Sequence, residues 1–244
     1  PNDLRNEWNA LLDESVSHVP FLRFDYIQTW WEHRGGGEWT QAELALVTAR
    51  QDGRLIGIAP FFFTPEHDGR PALMLLGSIE ISDYLDLIVR PDDLPAFLDH
   101  LLPFLTQPGR PAWQGLDLYN LLDSSPTVAA LEAAARKHNL SFRQEQLQHS
   151  PYIPLPGDWE AYLASIDKKQ RHEIRRKMRK AETAEVPVRW YIVTDDDTLD
   201  SEIEAFLDLM QQDEEKATFL TPVMRQTMHA IIRCAFEEDC LLLA

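Results

Sequence analysis

Between Lys168 and Lys180 the chain places eight lysines and arginines around one acidic residue, Glu173, although its formal net charge over 244 residues is −17. Ammonium and guanidinium groups recognise phosphate or carboxylate through charge-assisted hydrogen bonds. The amides that open a helix suit the same anions. At 100° per residue Gln170, Ile174, Met178 and Ala181 fall in one narrow arc, and the cations fill the other side. Asp167 and Gln170 have the spacing of a capping box, which predicts a helix starting at Lys168. Lys168, Lys169 and Arg171 then stand in its first turn, against the macrodipole. These three and Arg175 are the expected contacts to an anionic ligand. The plainer alternative is a solvated face paired with the acidic remainder of the chain.

A second group, "EISDYLD", brings Glu80, Asp83, Tyr84 and Asp86 together. A carboxylate there suits general-base work on an attacking amine, and a tyrosine suits general-acid work on the leaving group. Tyr84 and Asp86 are therefore the catalytic candidates, with Asp83 and Tyr84 as substrate contacts. The bland reading makes Asp83 a turn cap and Tyr84 a half-buried aromatic. Trp30 and Trp31, followed by Gly35 to Gly37, suit the wall of an acceptor cleft, or else plain core. Other chemistries lack their residues. The eight histidines form no H-x-x-x-H pair, and there is no G-x-S-x-G elbow and no P-loop. "TDDDTLD" lacks calcium-loop spacing, and Cys234 and Cys240 have no metal spacing. No metal is expected.

The elements that must position these groups are of mixed type. Helices are predicted over 3–16, over "FDYIQTWWEHRGGG", over "PDDLPAFLDHLLPFL" and over "SPTVAALEAAARKHN", with Ser125 as N-cap and Pro126 at the first helical position. Strands are predicted at 44–50 and 55–63, joined by the Asp-Gly turn of "QDGR". Further strands are predicted at "ALMLLGS", "DYLDLIV", "WQGLDLYNL" and "LSFRQEQ". "SPYIPLPGD" reads as a linker. Beyond it come a helix at 159–166, the basic helix, a strand at "VPVRWYIV", two further helices and a last strand beginning at "DCLLLA". Strands and helices in this order predict an α/β (α+β) layer with a mixed sheet. An apolar strand at the end, without a partner edge, leads us to expect a second domain that is cut short. Two thiols without a disulfide framework suggest a cytoplasmic setting. No apolar run is long enough for a membrane span, and the acidic balance argues against duplex DNA as a partner.

Four landmarks also carry a family resemblance. "DYIQTWWEHRG", "GRLIGIAPFFF", "GSIEISDYLDLIVRP" and "YLASIDKKQRHEIRRKMRKAE" resemble, in order and spacing, the CelD-type acetyltransferase family, which is FemAB-like and linked by name to cellulose biosynthesis. The second landmark also resembles the central hairpin of GNAT acyltransferases. The resemblance implies two GNAT-like domains in tandem, here 1–154 and the opening of a second over 155–244. It implies transfer of an acyl group from acetyl-CoA or another acyl-CoA to an amine or hydroxyl of a small-molecule or glycan-related acceptor. In the Fem branch the donor is aminoacyl-tRNA. Arg171, Ile174, Arg175, Arg176 and Lys180 match the Fem "R-x-x-I-R/K-R/K-A" segment, while Met178 and Arg179 depart from it and favour the CelD-type branch. A CoA-binding GNAT domain cradles pyrophosphate on a glycine-rich loop after its fourth strand. Here "RPDDLPA" follows "DYLDLIV", with no glycine, two prolines and two carboxylates. CoA is therefore expected mainly beyond this segment, in the second domain, and residues 1–244 alone are expected to be inactive. The alternative is a non-catalytic module that grips RNA or an acidic glycolipid through residues 168–180.

Overall fold

The strands expected at 44–50 and 55–63 are each broken in two in the computed structural model, which describes residues 4–37, 39–186 and 188–244. They become β1 (Glu43–Leu44), β2 (Val47–Gln51), β3 (Arg54–Ala59) and β4 (Phe61–His67). The break falls at Pro60, which has no N–H to give a ladder and bends the strand out of register. Its carbonyl instead accepts from Leu76 N at 2.7 Å. β2 pairs with β3, Thr48 opposite Ile58, whereas β1 pairs with β4, Leu44 opposite Phe62. One hairpin thus feeds two sheets. A second Asp-Gly turn, Asp68 and Gly69 at φ 51° and 78°, returns β4 into β5 (Arg70–Leu75). With β6 (Ile88–Val89) and β7 (Gly115–Asp117), the sheet orders are β1-β4-β5-β7 and β2-β3-β6. Among the described residues only β5 and β7 run parallel, so the first sheet is mixed.

Helices close over this sheet pair. α1 (Arg5–Leu12) buries Trp8, Leu11 and Leu12, and the Trp8 indole donates to Leu22 O at 2.8 Å. α2 (Phe24–Gly37) packs along α9 (Pro222–Glu237). α3 (Leu94–Leu105) buries Leu94, Phe97, Leu98, Leu101, Leu102 and Leu105, a helical stripe at three- and four-residue spacing. The Phe97 ring lies directly over Gly57 of β3, where a Cβ would stand 2.5 Å from it. α4 (Pro126–Lys137) starts as read, with the Ser125 hydroxyl accepting from Thr127 N. Then come α5 (Trp159–Ser165), α6 (Lys168–Glu182), α7 (Asp196–Met210) and the short α8 (Glu214–Phe219).

Two compact units result: Pro1–Phe142 with Thr194–Leu241, and Arg143–Val193 with Leu242–Ala244. They divide the chain differently from a boundary at 154/155, because α7 to α9 belong with the first unit. Four expected strands are shortened or not formed among the described residues. "DYLDLIV" is reduced to the two residues of β6, "LSFRQEQ" carries no regular structure, and "VPVRWYIV" makes no ladder among its described residues. A strand needs a paired neighbour, and the last segment has a single backbone bond to its counterpart, Val193 N to Leu243 O at 2.8 Å. The expected strand at "DCLLLA" forms no ladder among the described residues: Asp239 N and Cys240 N turn back to Phe236 O and Ala235 O at the end of α9. No helix among the described residues is long and apolar enough to cross a membrane.

Candidate functional site

In the first unit, the residues between Gly77 and Asp86 form a loop instead of a strand. Gly77 takes φ 101° and Tyr84 takes φ 59°, a left-handed conformation that turns the chain before β6. Side chains from four places hold the loop by its carbonyls. Trp39 Nε1 donates to Ser78 O at 3.3 Å, and Tyr26 OH donates to Ile81 O at 2.9 Å. Asn120 Nδ2 reaches Ile79 O and Ser82 O at 3.2 and 2.6 Å, and Ser17 Oγ donates to Tyr84 O at 3.3 Å. Tyr26 also meets Ser82 Oγ at 2.7 Å, and burial pushes its phenol up. A loop so tied at its backbone presents its side chains at fixed positions, as a site on an irregular segment requires.

Asp86 is buried, and its carboxylate takes three donors: Leu87 N at 2.7 Å, Thr127 Oγ1 at 2.6 Å and Ser125 Oγ at 2.5 Å. Burial raises its pKa above the usual carboxylate range, and these three bonds oppose the rise. The carboxylate therefore locks the entry to β6 onto the start of α4. Asp83 and Glu80 point to solvent, and Tyr84 is half-buried. Partial burial holds the Glu80 carboxyl above its ordinary range. Tyr84 and Asp86 share the wall of a cavity of about 100 Å³ with Ser17, Leu122, Ser124 and Ser125. Trp30 lies in the core, its ring 5.6 Å from Phe62. Trp31, 6.4 Å from the same ring, is the member of the pair with a partly exposed surface. Ser125 was legible as a cap; that its hydroxyl serves Asp86 was not, because nothing in the residues around Ser125 names a partner 39 residues earlier.

In the second unit, α6 runs over Lys168–Glu182 as read, and Asp167 caps it by accepting from Lys169 N and Gln170 N at 2.8 and 3.0 Å. The capping carboxylate occupies the amides that would greet an anion, so any anion recognition falls to side chains. Two of the four expected contacts are already engaged. Arg171 sits at the edge of the apolar arc and folds back on the end of α5, donating to Leu163 O, Ala164 O and Ile166 O at 2.6, 3.1 and 3.0 Å. A cation at helix-end carbonyls is favoured by the dipole. Arg175 pairs with Glu160 at 2.7 Å. Arg176 pairs with Glu173, whose carboxyl that hydrogen bond holds below its usual range. Lys168, Lys169, Arg179 and Lys180 are exposed and have no ion-pair partner among the described residues. Lys168 and Arg179 lie on one stripe, roughly 16 Å apart along the axis at 1.5 Å per residue.

Among the described residues, neither unit offers a glycine cradle for pyrophosphate. Between β6 and α3, the amides of Asp93 and Leu94 both go to Arg90 O, and Asp92 and Asp93 place two carboxylates there. From Lys168 to Ala244 there is no glycine at all. The residues described do not fit a CoA pyrophosphate held by backbone amides. Among them, no cluster of three His, Cys, Asp or Glu could hold a metal ion.

Residues 168–244 match the family model for the acetyltransferase (GNAT) domain. The match starts at the first residue of α6 and covers about a third of the chain. Neither the curated proteins nor the solved structures contain a significant match. The matched domain supports the GNAT superfamily, whose reaction is acyl transfer and whose general donor is acetyl-CoA, and the mixed α/β architecture is consistent with a GNAT-like fold.

Proposed function

We propose that this chain serves a CelD-type acyltransferase, moving an acyl group from acyl-CoA to an amine or hydroxyl of a small-molecule or glycan-related acceptor in the cytoplasm. The supporting observation is that the GNAT match opens on α6, the helix that carries four cations without an ion-pair partner among the described residues. In this reading residues 1–154 support the acceptor, and residues 155–244 open the donor-side domain. Lys168, Lys169, Arg179 and Lys180 hold an anionic part of donor or acceptor, while Arg171 and Arg175 fix α6 to α5. Since the described residues make no pyrophosphate cradle, their contribution to the donor is limited to these side chains.

One observation favours a second reading. Tyr152 and Trp190, 87% and 81% exposed, belong to the same unit as the cationic helix. Exposed rings and cations together suit a non-catalytic grip on single-stranded RNA by stacking and phosphate contact. Equilibrium titration separates the two. Donor binding predicts that CoA binds more tightly than inorganic phosphate, and that changing Lys168, Lys169, Arg179 and Lys180 to Gln weakens CoA about tenfold or more. Equal affinity for CoA and phosphate, together with steep salt-dependent binding of a single-stranded RNA, would overturn the acyl-transfer reading in favour of the second.

A further inference from the structure

The cavity beside Asp86 has a chemical character that neither the GNAT match nor the basic helix explains. Its wall includes Ser17, Tyr84, Asp86, Leu122, Ser124 and Ser125, and no lysine, arginine or histidine lines it. The remaining hydrogen-bonding capacity of this wall is mostly for accepting. Asp86 Oδ1 takes two donors, but Oδ2 takes only Ser125 Oγ, which leaves a lone pair. Ser17 Oγ spends its proton on Tyr84 O and keeps its own lone pairs. The start of α4 has little to offer an anion. Pro126 has no N–H, Thr127 N goes to Ser125 Oγ, and Val128 N goes to Ser125 O at 3.2 Å.

The walls are also fixed. Val16 N is bonded to Val89 O at 3.0 Å, Tyr84 is held in its left-handed conformation by Ser17, and Asp86 is bonded on three sides. A rigid, acceptor-rich hollow with one carboxylate and no cation selects a small multiple donor of positive charge. An ammonium group has three N–H donors and no acceptor. The cavity, about 100 Å³, is smaller than the roughly 150 Å³ hollow that admits a benzene ring, a size that suits an aminomethyl tip.

We infer that this cavity is a seat for a primary ammonium group, the tip of an amine-bearing ligand, with Asp86 and Ser17 as its acceptors. The inference rests on the walls of the cavity and not on the acyl-transfer reading, so it is tested without any acyl donor. Methylammonium chloride is titrated into the protein and followed through backbone amide resonances, with tetramethylammonium chloride as control. Saturable shifts confined to residues 16–17, 84–86 and 122–126, with millimolar affinity, are expected for methylammonium alone. Ser124 is exposed and outside the Asp86 network. Ser124→Leu plugs the mouth without touching that network and should weaken binding about tenfold or more. Asp86→Asn should do the same in a protein whose amide spectrum stays dispersed. Equal shifts with tetramethylammonium, no saturation with methylammonium, or unchanged affinity in Ser124→Leu would each refute the seat.

Discussion

Replacing Asp86 with alanine is expected to lower the unfolding free energy by about 3 kcal/mol or more, since each buried group left without its partner costs about 1–3 kcal/mol. The change strands Leu87 N, the buried Thr127 hydroxyl and the Ser125 hydroxyl. It also cuts the link between the entry to β6 and the start of α4. Asp86→Asn keeps the side-chain oxygen and should lose less. The pH dependence has a definite sign. Burial raises the folded-state pKa above its ordinary 3.8. Between those values the folded protein binds the proton that the unfolded chain has released, so stability falls as pH rises through this window. Asn carries no such titration, so the stability gap between Asp86→Asn and the parent should close in favour of Asn as pH rises through it. Urea unfolding of parent, Ala and Asn proteins at pH 4 and pH 7 reads both effects. A loss below 1 kcal/mol for Ala would mean that the three donors find other partners.

Alanine at Gly57 should cost about 2 kcal/mol. A methyl there would stand 2.5, 2.7 and 2.9 Å from Cδ2, Cε2 and Cγ of Phe97. Because the contact reaches the root of the ring, Phe97 has no local rotation that relieves it, and its ring is packed at 2% exposure. Overpacking of this kind costs about 1–3 kcal/mol, slightly offset because alanine orders a strand at lower entropy cost than glycine. The clash is pairwise, so Phe97→Leu made in the Gly57→Ala background should restore part of the loss. A double-mutant cycle is expected to give a coupling of about 1 kcal/mol or more. Additive losses would show that the strain at Gly57 has another source.

Much of this fold was legible in residues whose local physics is decisive. Asp167 and Ser125 each cap the helix expected of them, because a short polar side chain before an apolar or charged helical run has few alternatives. The Asp52-Gly53 turn was legible for the same reason. Asp68-Gly69 carries the same signature and organises the second hairpin. Pro60 also gave its signal in plain sight, since a proline within a strand run marks a break. What it could not say is that the two halves enter different sheets, which depends on partners distant in sequence. Apolar content misled at "DYLDLIV". Leu85 and Leu87 are buried as an apolar strand would be, but side chains from Ser17, Tyr26, Trp39 and Asn120 hold the preceding loop out of any ladder. At α6 the cationic face was visible from periodicity, yet which cations stay unpaired depends on Glu160, Glu173 and the carbonyls that close α5. Those are tertiary facts, and they shift weight from Arg171 and Arg175 to Arg179 and Lys180.

The central claim is that this protein works in acyl transfer and that α6 handles an anionic group in it. Equilibrium binding of labelled acetyl-CoA, which needs no turnover by residues 1–244, tests it most directly, run on the protein and on the variant with Gln at 168, 169, 179 and 180. The account predicts saturable binding by the protein, tighter than that of inorganic phosphate, and a loss of about tenfold or more in the variant, which should keep its fold because none of the four side chains holds an ion-pair partner among the described residues. Absence of saturable acetyl-CoA binding, or binding undiminished in the folded variant, would contradict it.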